Sequence, residues 1–85
     1  MSIEISNLNG TNDGDGDATI VGIVSNKGKR PLNNITVEIT LFDDGALCGV
    51  EEDYIDSIPP GGKRAFEVNK WDCWFTNFEV QVYGG

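Results

Sequence analysis

The clearest pattern of hydrophobic and polar positions in this chain lies in residues 34–43. Polar side chains alternate there with hydrophobic ones at Ile35, Val37, Ile39 and Leu41. Alternation with a period of two is typical of a strand that buries one face in a sheet. The sequence therefore predicts that residues 34–43 form a central strand.

Shorter apolar runs on both sides of this segment are separated by Gly, Asn, Asp and Pro, and none keeps a helical period for three turns. They predict strands at residues 2–8, 18–25 and 63–69, a strand after the Asp44-Gly45 turn, and one or two more near the C-terminus. Gly22 lies inside an apolar run and indicates that another group packs closely against the backbone there.

These elements predict one all-β domain over residues 1–85. The expected fold is an immunoglobulin-like antiparallel β-sandwich of six or seven strands with Greek-key connections. Its predicted core comprises Ile20, Val24, Ile35, Val37, Ile39, Leu41, Phe66, Val68, Phe78 and Val80.

The charge balance restricts the partners of the domain. Fourteen acidic residues against 6 basic ones give a net charge of -8 and a pI near 4.1, which argues against nucleic acid and anionic membranes. No apolar run reaches about ten residues, so we expect no membrane insertion. Any partner should be neutral or basic, which leaves a protein partner or a carbohydrate.

Four segments in the middle of the chain resemble the FxLYD domain, a small immunoglobulin-like β-sandwich of prokaryotic surface proteins and lipoproteins. In chain order they are Gly22-Ile23-Val24-Ser25-Asn26, Pro31 to Val37, Ile39-Thr40-Leu41-Phe42-Asp43, and Ile58-Pro59-Pro60-Gly61 before a strand with Phe66. Ile39 stands at the family's Phe position and Phe42 at its Tyr position. The resemblance implies a sandwich fold and an extracytoplasmic or cell-surface location, without implying an activity.

The loop Asp13-Gly14-Asp15-Gly16-Asp17 carries carboxylates at alternate positions. Calcium prefers several oxygen ligands, so Asp13, Asp15 and Asp17 form a candidate metal site. The loop departs from the EF-hand pattern because Ala18 replaces the turn glycine and Val24 replaces the final glutamate. The alternative interpretation is a solvated acidic turn between two strands.

Cys48 and Cys73 are the only cysteines, and the chain contains no histidine. A disulfide between them suits a small exported domain, whereas the alternative is two buried free thiols. Alternation places Cys48 on the inward face of its strand together with Ala46 and Val50, which favours the crosslink.

Aromatic residues concentrate near the C-terminus at Trp71, Trp74, Phe75 and Tyr83. In an extended segment Trp71 and Phe75 point away from Trp74, so we expect one of these two sets to pack in the core. Trp74 and Tyr83 are the candidate residues for stacking on a sugar ring.

The acidic residues are spread over loops and edge strands without a nucleophile and base beside them, so the sequence does not predict an enzyme. The preferred function is a non-catalytic accessory or protein-interaction module of a prokaryotic surface or exported protein. The alternative is a calcium-assisted carbohydrate-binding module. No other cofactor is expected.

Overall fold

A computed structural model describes residues 2–84, and these residues form six strands. The strands are β1 (Ile3–Asn12), β2 (Ala18–Asn26), β3 (Leu32–Asp43), β4 (Ala46–Ile58), β5 (Lys63–Lys70) and β6 (Asn77–Gly84). The prediction of an all-β chain is confirmed. No helix among the described residues is long and apolar enough to cross a membrane.

The strands form two three-stranded antiparallel sheets that pack against each other. One sheet has the order β1-β2-β5 and the other has the order β4-β3-β6. The strand with the clearest alternation, β3, lies at the centre of its sheet, as its pattern predicts. A side-chain contact ties the two sheets at β4 and β5, where a carboxylate oxygen of Asp53 accepts a hydrogen bond from the Glu67 backbone N–H at 3.0 Å.

The core lies between the sheets and contains most of the predicted residues. Ile20, Val24, Phe66, Val68 and the alternating residues of β3 are buried. Phe78 and Val80 were also expected there but are only half-buried. They belong to β6, an edge strand, and a side chain at the edge of a sheet has covering neighbours on one side only. The core also contains four buried residues that the prediction omitted, namely Ala18, Ile55, Ile58 and Cys73.

Gly22 allows a close contact between β2 and β5. It pairs directly with Phe66, and a Cβ atom at Gly22 would collide with the Phe66 ring. The ring therefore lies over the bare backbone of β2, as the isolated glycine predicts.

The turn between β3 and β4 is followed by an irregularity that changes the faces of β4. Asp44 and Gly45 both have positive φ, as a primed hairpin turn requires. Leu41 pairs with Gly49 but the next residue of β3 pairs with Leu47, so Cys48 is an extra residue in a β-bulge. Beyond the bulge, Val50, Glu52 and Tyr54 face outward, because they pair with the outward residues Thr40, Glu38 and Thr36 of β3.

This bulge corrects our assignment of Cys48 to one face with Ala46 and Val50. Val50 is exposed on the outer face of the sheet, Ala46 is exposed near the turn, and Cys48 is half-buried. Strict alternation fails at an inserted residue because two residues of one strand oppose one residue of the other.

Asn26 closes the end of the sandwich where β2 finishes. Its buried side-chain amide donates hydrogen bonds to the carbonyl oxygens of Arg30 (2.8 Å) and Ile58 (3.0 Å). Its side-chain oxygen accepts a hydrogen bond from the Gly28 N–H at 2.9 Å. One side chain thereby fixes two loops at this end of the sandwich.

Candidate functional site

Two exposed tyrosines lie on the outer face of the β4-β3-β6 sheet. Thr36 at the centre of this face pairs with Tyr54 on β4 and with Tyr83 on β6. Tyr54 is 69% exposed and Tyr83 is 43% exposed. We define the tyrosine face by the outward residues of the three strands, which are Thr36, Glu38, Thr40, Val50, Glu52, Tyr54, Glu79, Gln81 and Tyr83.

Hydrogen bonds to carboxylates hold the two phenol groups in place. The Tyr83 hydroxyl lies 3.0 Å from Glu52 Oε2 and 3.3 Å from Glu38 Oε2. The Tyr54 hydroxyl donates to Glu52 Oε1 at 3.2 Å. Glu52 therefore bridges both tyrosines, and the rings have partners that restrict their rotation.

The same carboxylates make both phenols harder to ionise. The hydrogen bond to Glu52, partial loss of water, and the negative charges of Glu38 and Glu52 raise the pKa of Tyr83 to about 12. The charge of Glu52, and then its hydrogen bond, raise the pKa of Tyr54. Both phenols are consequently neutral hydrogen-bond donors at physiological pH.

All the charged residues of the tyrosine face are acidic. They are Glu38, Glu52 and Glu79, while the remaining positions carry hydroxyl, amide, aromatic or valine side chains. A face of this composition is complementary to a cationic surface that also carries apolar groups.

The aspartate loop lies at one end of the sandwich and uses its carboxylates to order its own backbone. Asp13 Oδ1 accepts hydrogen bonds from the N–H groups of Asp15 (2.8 Å) and Asp17 (3.1 Å). Asp17 Oδ1 accepts one from the Asp72 N–H at 3.1 Å. Residues 2–84 bring together no group of three His, Cys, Asp or Glu side chains that could hold a metal ion. Calcium binding at Asp13, Asp15 and Asp17 stays a prediction.

The predicted disulfide between Cys48 and Cys73 is present, with its Cα atoms 5.7 Å apart. It joins the bulge of β4 to the segment between β5 and β6. The Cys73 N–H also donates to the Gly16 carbonyl at 2.9 Å, and the Asn12 side-chain amide donates to the Cys73 carbonyl at 2.6 Å. The crosslinked segment and the aspartate loop therefore form one connected end of the domain, which we call the loop end.

Both tryptophans lie at the loop end and outside the core. Trp71 is 76% exposed and Trp74 is 55% exposed. Trp74 packs over Gly16, where a Cβ atom would collide with the indole. We expected either Trp71 with Phe75 or Trp74 to pack in the core, and of these only Phe75 packs against it. Residues 71–76 form turns and irregular structure, so strand alternation does not apply to them.

Phe75 and Phe78 take the inward position at this end. Their rings meet edge to face, with centroids 5.7 Å apart and planes at 82°. This arrangement is a favourable one for two aromatic rings. A Cβ atom on Gly10 would collide with both rings, so the rings lie against the backbone of β1.

The two predicted stacking residues, Trp74 and Tyr83, do not form one platform. Tyr83 pairs with Thr36, whereas the segment after Trp74 is held to Phe42 by a 2.8 Å hydrogen bond from the Thr76 N–H. Six residues along β3 separate these two points, or roughly 20 Å.

Trp71, which was not one of the predicted stacking residues, lies beside polar groups. Trp71 lines a depression at the loop end together with Asp13, Asp17, Ala18, Thr19 and Asn69. The Thr19 hydroxyl donates to Asn69 Oδ1 at 2.8 Å, which fixes the amide. From the sequence we chose Trp74 and Tyr83, and not Trp71, as the stacking residues. The local signal in the sequence was Asp72, because aspartate is depleted in strands and tolerates the positive φ that it has here.

Comparison with protein-family models, with curated proteins and with solved structures finds no match for this chain.

Proposed function

We propose that this domain is a non-catalytic interaction module of a prokaryotic exported or cell-surface protein, and that it binds a basic protein partner through the tyrosine face. The observation that carries the proposal is the exposure of Tyr54 and Tyr83 on a sheet face whose charged residues are all acidic. The disulfide and the resemblance to the FxLYD domain support the proposed location, since disulfides persist in oxidising compartments.

Tyrosine suits this role because its ring offers a large contact area and few rotatable bonds. Tyrosine and arginine are enriched in the central residues of protein interfaces, and an arginine side chain can stack on a tyrosine ring. The bonds from Tyr54 and Tyr83 to Glu52 hold the rings before binding, so less rotational freedom is lost in the complex.

A titration with a short oligo-arginine peptide tests the charge and aromatic complementarity. We expect the backbone amide resonances of Thr36, Tyr54 and Tyr83 to shift together in nitrogen-15 NMR spectra. Tyr54→Ala should weaken binding by about five- to tenfold, the loss of one cation–π contact.

Trp71→Ala is the matched control, because it removes an aromatic ring of similar exposure from the other end of the molecule. It should leave the peptide affinity unchanged. Shifts spread evenly over all acidic residues, or equal losses in the Tyr54 and Trp71 variants, would count against the tyrosine face as a binding site.

A second candidate function, carbohydrate binding, is favoured by the depression beside Trp71. The indole is exposed, and Asp13, Asp17 and Asn69 offer oxygen and nitrogen atoms beside it. One oxygen of each aspartate accepts backbone hydrogen bonds, and the other receives none from residues 2–84. An aromatic ring with adjacent carboxylates can stack on a sugar ring and accept hydrogen bonds from its hydroxyls.

Tryptophan fluorescence separates this candidate from the first. A soluble glycan that binds at the loop end should shift the emission of the wild-type protein and of Trp74→Phe, but not that of Trp71→Phe. Adding EDTA would show whether calcium assists binding. A glycan panel that leaves the emission unchanged would remove this candidate and leave the tyrosine-face proposal intact.

A further inference from the structure

The outer edge of β6 has the features of a strand that can accept another strand. Within residues 2–84, β6 pairs with β3 along one side and with no strand along the other. Its pairing with β3 is continuous from Asn77 to Gly84, without a bulge. It contains no proline, lysine or arginine. An edge strand of this kind exposes a row of unpaired backbone N–H and C=O groups.

The other edge strands carry features that discourage such pairing. β4 has the bulge at Cys48 and the acidic run Glu51-Glu52-Asp53, and β1 is interrupted by a register shift at Asn7. On β5, the Glu67 N–H is occupied by the Asp53 carboxylate. These are recognised ways in which proteins protect sheet edges, whereas β6 has no bulge and carries only the single charge of Glu79.

The core is also incompletely covered beside β6. The sheet orders place β6 and β1 on the side of the sandwich away from the β4 and β5 contact. The inward side chains Val80 and Val82 of β6 and Ile3 and Ile5 of β1 are only half-buried. An additional strand beside β6 would cover part of this apolar surface.

From these observations we propose that two copies of this chain associate by antiparallel pairing of their β6 strands, in a register centred on Val80. The two three-stranded sheets then form one six-stranded sheet, and the two tyrosine faces lie on the same side of it. This inference does not depend on the proposed function. It would, however, give a partner two tyrosine faces to bind at once.

Side-chain chemistry selects this register. Centring on Val80 places Glu79 opposite Gln81 of the second copy and Phe78 opposite Val82 of the second copy. An amide faces each carboxylate, and an aromatic ring faces a β-branched side chain, which is a favourable cross-strand pair. A register centred on Glu79 would instead place two like charges opposite each other. One centred on Gln81 would place Phe78 opposite Gly84, which offers no side chain.

The net charge of -8 on each copy opposes association at low ionic strength. Salt screens this repulsion between the two copies, whereas the backbone hydrogen bonds and the apolar contacts of the paired strands persist. The dimer should therefore become tighter as sodium chloride is raised from the millimolar range towards the molar range.

Sedimentation equilibrium over micromolar to millimolar protein concentrations tests the proposal. We expect a monomer–dimer equilibrium for the wild type. Gln81→Lys puts an opposite charge across from Glu79 in both symmetric pairs and should tighten the dimer about fivefold. Gln81→Glu puts a like charge there and should weaken it by a similar factor.

Tyr54→Ala is the control, because it lies on β4 and should leave the dimer constant unchanged. Gln81 is exposed, so both Gln81 variants should fold, and thermal unfolding at a concentration where the protein is monomeric checks this. Hydrogen exchange of the wild type should slow at β6 amides as its concentration rises. A monomer at millimolar concentration in high salt would overturn the proposal, as would a weaker dimer in Gln81→Lys or exchange rates independent of concentration.

Discussion

Reduction of the Cys48–Cys73 disulfide should remove a large part of the stability of this domain. The bond closes a chain segment with a sequence separation of 25. On the chain-entropy model, a loop of this length restricts the unfolded state by about 3.5 kcal/mol. A domain of this size has a free energy of unfolding of roughly 4–13 kcal/mol. The reduced protein should therefore keep a free energy of unfolding of roughly 0.5–9.5 kcal/mol, and it is only marginally folded if the intact domain lies at the lower end of the range.

Urea unfolding followed by tryptophan fluorescence, with and without a phosphine reductant, measures this effect. The midpoint should fall on reduction, and the slope should rise because the uncrosslinked unfolded chain exposes more surface. A loss of about 3.5 kcal/mol corresponds to a decrease of roughly 15–25 °C in Tm.

The double variant Cys48→Ala/Cys73→Ala provides the control. It should resemble the reduced wild type and should not respond to the reductant, apart from the small packing loss at the buried Cys73 sulfur. A reduced wild type that loses less than about 1 kcal/mol would refute the reasoning, because the unfolded chain would then be no freer without the crosslink.

Three further outcomes are expected. Val37→Asp places an unpaired charge in the centre of the core and should unfold the domain, as circular dichroism would show. The Tyr83 phenol should ionise near pH 12 in a spectrophotometric titration, and Glu52→Gln should move the titration back towards the ordinary value near 10. Because the pKa of Tyr83 is raised in the folded state, the stability that its neutral, hydrogen-bonded phenol contributes is complete below pH 10. That stability is lost as the pH approaches 12. If the loop at residues 13–17 binds calcium, Tm should rise with the logarithm of calcium concentration at matched ionic strength. A calorimetric titration without binding heat, together with an unchanged Tm at millimolar calcium, would contradict that site.

The bulge at Cys48 determines the positions of residues in both the tyrosine face and the loop end. Without an inserted residue, the turn at Asp44-Gly45 would place Asp53 opposite Thr36. The bulge moves Tyr54 into that position, so that Tyr54 joins Tyr83 on the outer face. The bulge residue Cys48 also forms the disulfide with Cys73 at the loop end. A single inserted residue thus affects both the crosslinked end and the tyrosine face.

The sequence by itself determined the features that depend on neighbours along the chain. Alternation at Ile35, Val37, Ile39 and Leu41 predicted the central strand and its buried face, because adjacent residues of a strand point to opposite sides. Asp44-Gly45 predicted the hairpin turn because these residues tolerate positive φ.

Only the tertiary structure decided the features that depend on pairing between distant segments. Strand register and the bulge at Cys48 placed Tyr54, Glu52 and Tyr83 on one face, although the first two lie about 30 residues from the third. The loop end combined Trp71 with residues from the other end of the chain. Local alternation states which side chains share a face, but it does not state which strands meet or where an inserted residue shifts the register.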